Sequence, residues 1–389
     1  MNFGWQEEAQ QAFVDNKCRG LVVAVTGSGK TVFGIKTLKL LKQRTLIVVP
    51  TIVLLKQWVD ELIKNGIPEN KIGTYYGENK EIKEITVSVI NSACTRNDWN
   101  MYKSFLIVDE VHRLNNNTTE FQKLLLNNSF NYTLGLTATI DLKDGIYGIV
   151  EQKIGPVIYN YTYKDAQKAD TISDLTIINK GINLPTFDYK KLEQYNNRIA
   201  AGIKEYKTFE NLIDSSKKRD YKATAVLRLM ATRKKIYNNN PLKMEAVIDD
   251  LVFHKNDKSI VFNEYKTMAD KLYMELKKKN IPVWLYHSGT LKKDYDPIGE
   301  FTRSPNGVLV TVKALDEGLN VKDASRAFLI GYNTTDRQAI QRVGRIIRKH
   351  GNKKSYIHNY YFKNTKDFTN AENFSNLFKD IAQIKWVEK

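Results

Sequence analysis

Short hydrophobic runs alternate with amphipathic stretches through the first half of the chain. The runs have the length and apolar character of strands that are buried on both faces. They cover residues 20–25, 45–49, 85–90 and 105–108, with a further strand ending at Thr137. Between them, residues 32–42 and 54–64 repeat apolar positions with helical spacing. Strands that alternate with helices predict a parallel sheet covered by helices on both faces.

The pattern changes between residues 187 and 240, where strands disappear and Gly202 is the only glycine. Long polar stretches of helical character replace them, with clustered basic residues at Lys217, Lys218, Arg219, Lys222, Arg228, Arg233, Lys234 and Lys235. A second strand and helix alternation follows. Its predicted strands are 259–262, 283–286, 307–311, 327–330 and 356–361, with a helix at 267–279 and a last helix at 373–384.

These changes divide the chain into four predicted segments. They are a first α/β lobe (1–186), a basic helical connector (187–240), a second α/β lobe (241–364) and a tail with one helix (365–389). The fold class is therefore α/β, with two parallel-sheet lobes in tandem.

Composition narrows the possible functions. The chain has 389 residues and a formal net charge of +17, with 42% hydrophobic residues, so it is a globular chain and the charge favours a polyanionic partner. Cys18 and Cys94 are its only cysteines, which argues against a disulfide framework or a cysteine zinc site. We find no apolar run of membrane-spanning length and no secretory signal. We expect a monomer without membrane attachment, in the cytoplasm of a bacterium or a phage-infected cell.

Residues 26–31, Thr-Gly-Ser-Gly-Lys-Thr, lie between a predicted strand and a predicted helix, which is the context of a phosphate-binding P-loop. Backbone N–H groups of such a loop surround a phosphate, while Lys30 reaches the β- and γ-phosphates and the Thr31 hydroxyl reaches Mg²⁺. Ala24 stands where the full pattern has its first glycine. The candidate nucleotide ligands are Gly27, Ser28, Gly29, Lys30 and Thr31.

The apolar strand at 105–108 ends in two carboxylates, Asp109 and Glu110. Asp109 is the candidate Mg²⁺ ligand beside Thr31, and Glu110 is the candidate group that polarises the attacking water. A solvated acidic turn is the alternative, but a P-loop upstream makes that interpretation weak. The P-loop and the carboxylates together predict a nucleoside triphosphatase.

Several short motifs, which follow one another in a set order along the chain, resemble those of the superfamily 2 helicases and translocases. The P-loop resembles motif I, and Asp109–His112 resembles a motif II of the DExH type. Further matches are 50–58 with motif Ia, 89–92 with the lobe-one motif at the nucleic-acid backbone, 137–139 with motif III, 314–321 with motif V and 341–348 with motif VI. The amino-acid sequences of these motifs are most similar to those of the XPB-like branch and of phage UvsW-type recombination helicases. The resemblance implies two RecA-like lobes that bind ATP and Mg²⁺.

The resemblance also assigns roles to residues at the nucleotide. Gln6 resembles the glutamine that reads the adenine edge, while Phe3 or Trp5 either stacks on the base or belongs to the core. Arg345 and Arg348, at i and i+3 of one predicted helix, resemble a pair of arginine fingers.

Other nucleotide roles fall on motifs V and VI. Gln341 is the candidate for positioning the γ-phosphate or the water. Gly318 and Asn320 of motif V would contact the nucleotide, although Asn320 replaces the commoner aspartate. We expect His112 to link motif II to the other motifs.

The candidate nucleic-acid contacts implied by the resemblance are small polar or basic groups that bind phosphate and sugar without reading bases. They are Thr51, Asn91, Ser92, Ser288, Gly289, Thr311 and Lys313. One departure concerns Val312, which stands where many relatives carry a phosphate-contacting threonine, with Thr311 one step away. For the basic residues of 187–240, duplex contact and a solvated helical face are both open.

The resemblance implies an ATP-dependent DNA helicase or translocase that moves 3′ to 5′ and remodels or unwinds branched or forked duplexes. Its partners would be single-stranded DNA and branched or forked duplex DNA. An RNA helicase, or the motor component of a larger DNA-processing complex, is the alternative. The third alternative is a non-enzymatic clamp that keeps the helicase fold but has lost ATP hydrolysis. Against it, the chain retains the candidate catalytic residues Lys30, Asp109, Glu110, Arg345 and Arg348.

Overall fold

The computed structural model describes residues 4–112, 119–138, 147–290, 296–312, 321, 323–331 and 336–388. These residues form two compact units. The first unit contains the residues up to Ile172 together with Ile340–Lys349, and the second unit contains the other described residues. No helix in these described ranges is both long enough and apolar enough to cross a membrane.

The first unit is built on an eight-stranded sheet in the order β4-β3-β5-β2-β6-β7-β1-β8. Its strands are β1 (Arg19–Ala24), β2 (Thr45–Val49), β3 (Ile72–Tyr76), β4 (Asn79–Lys80), β5 (Ile85–Val89), β6 (Phe105–Asp109), β7 (Tyr132–Thr137) and β8 (Val157–Tyr161). All neighbouring strands are parallel except β3 and β4.

Helices lie before, between and after these strands, and those between parallel strands provide the crossover connections. They are α1 (Trp5–Asp15), α2 (Lys30–Leu41), α3 (Ile52–Lys64), α4 (Ile90–Ala93), α5 (Thr119–Asn127), α6 (Tyr147–Lys153) and α7 (Tyr163–Lys168), with 3₁₀ turns at Glu69–Lys71 and Trp99–Met101. The central strands are apolar on both faces: every residue of β2 and of β6 is buried. This is why the sequence shows continuous hydrophobic runs there rather than alternation.

The second unit contains a seven-stranded, wholly parallel sheet in the order β11-β12-β10-β13-β14-β9-β15. Its strands are β9 (Leu175–Ile182), β10 (Lys258–Asn263), β11 (Val283–Tyr286), β12 (Gly307–Val312), β13 (Arg326–Ile330), β14 (Ser355–Phe362) and β15 (Ala382–Glu388). Its helices are α8 (Thr186–Tyr206), α9 (Phe209–Lys217), α10 (Tyr221–Asn238), α11 (Pro241–Phe253), α12 (Lys266–Lys278), α13 (Pro297–Arg303) and α15 (Lys366–Leu377), while α14 (Asp336–Ile346) begins in the second unit and ends in the first.

The predicted fold class, two parallel α/β sheets in tandem, is confirmed. The predicted connector 187–240 is helical, and α8, α9 and α10 share a small core that includes Leu212, Ala223 and Val226. The predicted boundary at 186 lies later than the observed division between Ile172 and Ser173, because β9 pairs with β14 in the second sheet.

The tail also differs from its prediction. The helix predicted at 373–384 is observed as α15, which ends at Leu377, and β15 follows it. β15 pairs with β9 along its length, from Ala382 opposite Leu175 to Glu388 opposite Gly181. Backbone pairing with a strand some two hundred residues earlier outweighs the local helical periodicity, which is a tertiary effect that no local pattern reports.

A buried ion pair joins α15 to α11 within the second unit. Lys243 Nζ donates to Asp367 Oδ2 at 2.5 Å, and neither side chain has any exposed surface. Asp367 Oδ2 also accepts the backbone N–H of Phe362 at 2.9 Å, so the same carboxylate ties α15 to the end of β14. Removing one member of such a pair leaves the other charge buried and uncompensated.

We therefore expect Lys243→Met to lower the free energy of unfolding by about 3–5 kcal/mol, measured by chemical denaturation. The matched control is Lys217→Met, which removes the lysine of an exposed pair with Asp214 and should leave stability unchanged. Equal stabilities for the two variants would show that the buried pair does not hold α15 in place.

Candidate functional site

The P-loop lies between β1 and α2, at the carboxyl edge of the first sheet. Gly27 and Gly29 have φ angles of +85° and +91°, in the left-handed region that glycine enters without strain. Lys30 begins α2, and its Nζ donates to the carbonyl of Ala24 at 2.8 Å, across the loop. The loop therefore presents the positive end of a twelve-residue helix and a lysine ammonium to the same place, which is the arrangement that binds phosphate.

Two side chains of helix α1 donate hydrogen bonds to backbone carbonyls of the P-loop. Trp5 Nε1 donates to the carbonyl of Ser28 at 3.1 Å, and Gln6 Nε2 donates to the carbonyl of Gly29 at 3.0 Å. The Trp5 ring stacks on Tyr161 with centroids 5.2 Å apart and is buried, so it belongs to the core rather than to a base-stacking surface. The buried Gln6 Oε1 has no hydrogen-bond partner among the described residues, and it is an acceptor that suits an amino group of a ligand.

Motif II is held by a contact between the ends of two neighbouring strands. His112 Nδ1 lies 3.0 Å from Thr137 Oγ1 at the end of β7 and 3.2 Å from Glu110 Oε2. Glu110 has a φ of +51°, an uncommon conformation for a residue with a side chain. Such strain costs on the order of 1–3 kcal/mol and persists only where the surroundings enforce it. The structure thus brings the candidate motifs II and III together through His112.

Sequence reasoning missed one partner of the acidic pair. Trp58 of α3 is buried, and its Nε1 donates to Asp109 Oδ2 at 2.8 Å. The other oxygen, Asp109 Oδ1, accepts the backbone N–H of Glu110 at 3.0 Å. A buried tryptophan needs a hydrogen-bond acceptor for its N–H, so a buried Trp58 predicts a polar partner. The sequence does not show which acceptor lies near it.

The pKa values of the two carboxyls move in opposite directions. Burial and the negative charge of Glu110 raise the pKa of Asp109 to about 6. For Glu110, burial favours the neutral form, but His112, Lys30 and Arg345 outweigh it and lower the pKa to about 2. Burial lowers the pKa of Lys30, against the opposing effect of the two carboxylates. Glu110 is therefore ionised at neutral pH.

The predicted arginine pair reaches this site, but not from one helix. Helix α14 ends at Ile346, and Arg348 lies beyond it, where its backbone forms an isolated antiparallel bridge with Ile172. The prediction that both arginines project from one helix is therefore corrected. A Cβ added at Gly27 would lie 2.9 Å from Arg348 Cγ, so the Arg348 side chain rests directly on the P-loop.

Both arginines nevertheless lie close enough to the P-loop lysine to affect its charge. Both place positive charge near Lys30, and Arg345 also acts on Glu110. Burial and the neighbouring charge of Arg345 lower the pKa of Arg348 to about 9. Gln341, one turn before Arg345 on α14, is buried. An anionic ligand is the natural counterpart of this concentration of cations.

The protein groups that fit a divalent cation are few. Asp109 is buried at the carboxyl edge, Thr31 lies in the first turn of α2, and the described residues contain no cluster of three or more His, Cys, Asp or Glu side chains able to hold a metal. That set fits Mg²⁺, which keeps several waters and is bound by one or two protein groups plus the phosphates of a nucleotide.

The predicted nucleic-acid contacts differ in exposure. Thr51 caps α3, its hydroxyl accepting the N–H of Leu54 at 3.3 Å, and it is half-buried. Asn91 of α4 is exposed, and its neighbour Ser92 is half-buried. Thr311 is fully buried in β12, so its side chain is part of the core and does not offer a surface contact.

Ser288 and Gly289 are exposed in the turn that follows β11. The remaining predicted residues lie outside the described part of the chain: Phe3, Thr139, Lys313, Gly318 and Asn320.

Two family models match the chain. Residues 3–142 match the model described as type III restriction enzyme, res subunit, and residues 242–350 match the helicase conserved C-terminal domain. The P-loop and motif II fall within the first match, and motifs V and VI fall within the second. The interval between the matches contains the helices α8, α9 and α10.

Curated relatives match nearly the whole chain. It is 31% identical over 372 residues to the DNA 3′-5′ translocase XPB2 of Sulfurisphaera tokodaii, a match that covers 94% of this chain and 82% of the relative. It is 27% identical over 363 residues to the DNA 3′-5′ helicase XPB of Kineococcus radiotolerans, covering 89% of this chain and 57% of the relative. The chain thus spans little more than half the length of the Kineococcus radiotolerans relative.

Solved structures share the fold. The helicase domain of Pyrococcus furiosus Hef has a TM-score of 0.61 with 16% sequence identity, covering 96% of this chain and 98% of that one. At that identity the similarity concerns the fold alone.

The close approach of Gly344 to the P-loop provides a test of the site. A Cβ added at Gly344 would collide with Thr26 Cβ and lie 2.9 Å from its Oγ1. We expect Gly344→Ala to displace Arg345 and Arg348 and to slow nucleotide hydrolysis on the order of 10²-fold, since small misplacements of catalytic groups have effects of that size. Steady-state phosphate release measures this.

Gly148→Ala is the control, because Gly148 lies in α6 with no atom within 4 Å of the added Cβ. If Gly344→Ala hydrolyses nucleotide as fast as Gly148→Ala does, close approach of motif VI to the P-loop is not needed for turnover.

Proposed function

The chain belongs to the XPB family of superfamily 2 DNA helicases, and we propose that it hydrolyses ATP to move on DNA in the 3′ to 5′ direction. The observation that carries the proposal is the convergence of Lys30, Glu110, Arg345 and Arg348 at the carboxyl edge of the first sheet. Such a site suits a strongly anionic ligand, and it places an ionised carboxylate, Glu110, beside that ligand.

Each group has a distinct task in the proposed reaction. The P-loop N–H groups and Lys30 bind the β- and γ-phosphates, and Gln6 Oε1 accepts a hydrogen bond from the adenine amino group. Asp109 and Thr31 would hold Mg²⁺, which supplies charge neutralisation at the phosphates when bound. Glu110, which is ionised at neutral pH, orients and polarises the attacking water.

The positions of these groups in the sequence suggest how ATP hydrolysis is coupled to movement on DNA. Lys30 and Glu110 belong to the region matched by the first family model, whereas Arg345 and Arg348 belong to the C-terminal helicase region. Arginine fingers raise phosphoryl-transfer rates by about 10³–10⁵-fold. Turnover would therefore depend on both helicase regions, so a cycle of ATP binding and hydrolysis can alternate their contacts with a DNA strand.

We propose that the helical segment 187–240 contributes contacts to duplex DNA. Lys217 and Lys218 at the end of α9 are exposed, as is Arg219 in the turn before α10. Tyr221 follows them with 90% of its surface exposed, so an aromatic face beside the basic residues is open to a nucleic-acid base. Acidic neighbours offset part of the charge, because Lys217 pairs with Asp214 at 3.1 Å, so a solvated helical face is the competing interpretation.

The finer task that we propose is remodelling or unwinding of forked and branched duplexes by a monomer in the cytoplasm. Action on RNA is the second candidate, because DExH motifs occur in helicases of both kinds. ATPase rates with duplex DNA, forked DNA, single-stranded DNA and RNA separate the two. Stimulation by RNA alone would reject a DNA motor.

Two variants test the chemistry. Lys30→Ala should abolish DNA-stimulated ATP hydrolysis, because the γ-phosphate loses its main protein counter-ion. Glu110→Gln should bind ATP and stop turnover, which a nucleotide-binding assay and a phosphate-release assay measure side by side. Near wild-type hydrolysis by Glu110→Gln would contradict the role of Glu110.

A salt titration tests the helical segment. Replacing Lys217, Lys218 and Arg219 with Ala should make the slope of log K against log salt for duplex DNA shallower by about 0.9 for each phosphate that the protein no longer neutralises. ATP hydrolysis without DNA should be unchanged, since these residues lie outside every nucleotide motif.

The matched control replaces three other consecutive, exposed lysines, Lys277, Lys278 and Lys279, with Ala. If both triple variants have the wild-type salt slope, the basic residues between α9 and α10 form a solvated face.

A further inference from the structure

The Trp58 side chain is buried and closely packed against α2. Its indole is 1% exposed and lies against α2, where a Cβ added at Gly34 would be 2.8 Å from Trp58 Cη2. Gly34 therefore leaves room for the six-membered ring, and the ring fills that room. With the ring fixed, the direction of the Nε1–H group is fixed too, and it points at Asp109 Oδ2 from 2.8 Å.

The hydrogen bond constrains the one carboxylate in the site that is suited to a metal. Asp109 Oδ1 accepts from the Glu110 backbone and Oδ2 accepts from Trp58, so both oxygens are held and the plane of the carboxylate is set. An ionised carboxylate offers about four acceptor positions, and two are used here. The other two keep a defined direction, which a metal with strict octahedral geometry requires.

We propose that Trp58 is a positioning residue for the divalent cation of the nucleotide site, acting through Asp109. This inference rests on the proposed function, since it assumes that Asp109 takes part in binding Mg²⁺. Groups that orient a metal ligand without touching the metal commonly change metal affinity by about 10–100-fold when they are replaced. Trp58 meets the description, because it supplies a single donor to a ligand oxygen from a rigid, buried ring.

The competing explanation is that Trp58 only fills space. Trp99 allows the two explanations to be separated within the same unit. It is also fully buried, and its Nε1 donates to the backbone carbonyl of Ala93 at 2.9 Å. Trp58 and Trp99 thus bury the same ring and satisfy the same donor, but only Trp58 donates to a candidate metal ligand.

The experiment compares Trp58→Phe with Trp99→Phe in the full chain. Mn²⁺ serves as a paramagnetic substitute for Mg²⁺, and its affinity in the presence of a non-hydrolysable ATP analogue is measured by electron paramagnetic resonance. Trp58→Phe should weaken Mn²⁺ binding by about 10–100-fold. Trp99→Phe should bind Mn²⁺ like the wild type, and nucleotide binding in EDTA should be equal in all three proteins.

Replacing indole with phenyl also leaves a gap beside Gly34, which a second variant avoids. Substitution of Trp58 by β-(3-benzothienyl)alanine keeps the bicyclic shape and replaces only the N–H with sulfur. It should reproduce the loss of Mn²⁺ affinity in a chain that remains folded at the assay temperature, with wild-type nucleotide binding in EDTA. Wild-type Mn²⁺ affinity in this variant would overturn the inference, as would an equal loss of nucleotide binding in EDTA.

Failure of the proposed function gives a different result. If the wild-type chain binds no Mn²⁺ with the nucleotide analogue, the assignment of an ATP site is itself rejected. If the wild type binds Mn²⁺ and the benzothienyl variant binds it equally well, the ATP site stands and only the role of Trp58 is rejected.

Discussion

Two adjacent carboxylates at the buried end of β6 impose the constraint on which the first unit depends. Asp109 and Glu110 repel each other and lie where water gives little screening, so the surrounding chain must supply donors and positive charge. The donors come from α3 and from the backbone of the acidic pair itself, and the cations come from α2 and motif VI. These compensating groups around the carboxylate pair support the proposed binding of a nucleotide with Mg²⁺.

The fold explains how such distant segments meet. In a parallel sheet, the loops that follow the strands all lie at the carboxyl edge, and this is where ligands bind in open α/β structures. The P-loop follows β1, the acidic pair ends β6, and Thr137 ends β7. Because β6, β7 and β1 are consecutive neighbours in the sheet, these groups become adjacent although they lie far apart in sequence.

The second unit uses buried polar groups for a different purpose. Lys180 Nζ lies 2.6 Å from both oxygens of Asp250, joining β9 to α11, and Tyr360 of β14 donates to the same carboxylate. Burial lowers the pKa of His358 to about 3, so this histidine is neutral and stacks on Phe328 at 4.5 Å. These contacts fasten strands and helices together, consistent with a structural role for His358.

The sequence by itself determined the elements whose signal is local. The apolar runs placed the central strands to within a residue or two, since a strand buried on both faces must be apolar throughout. The P-loop and the acidic pair could be identified because their chemistry needs fixed residue types at fixed spacing. Only the tertiary structure decided that Trp58 serves Asp109, that Trp5 lies under the P-loop, that Arg348 follows α14 rather than extending it, and that residues 382–388 form a strand. Each of these depends on which distant atom lies within about 3 Å of a donor, and hydrophobic periodicity along the chain carries no information about that distance.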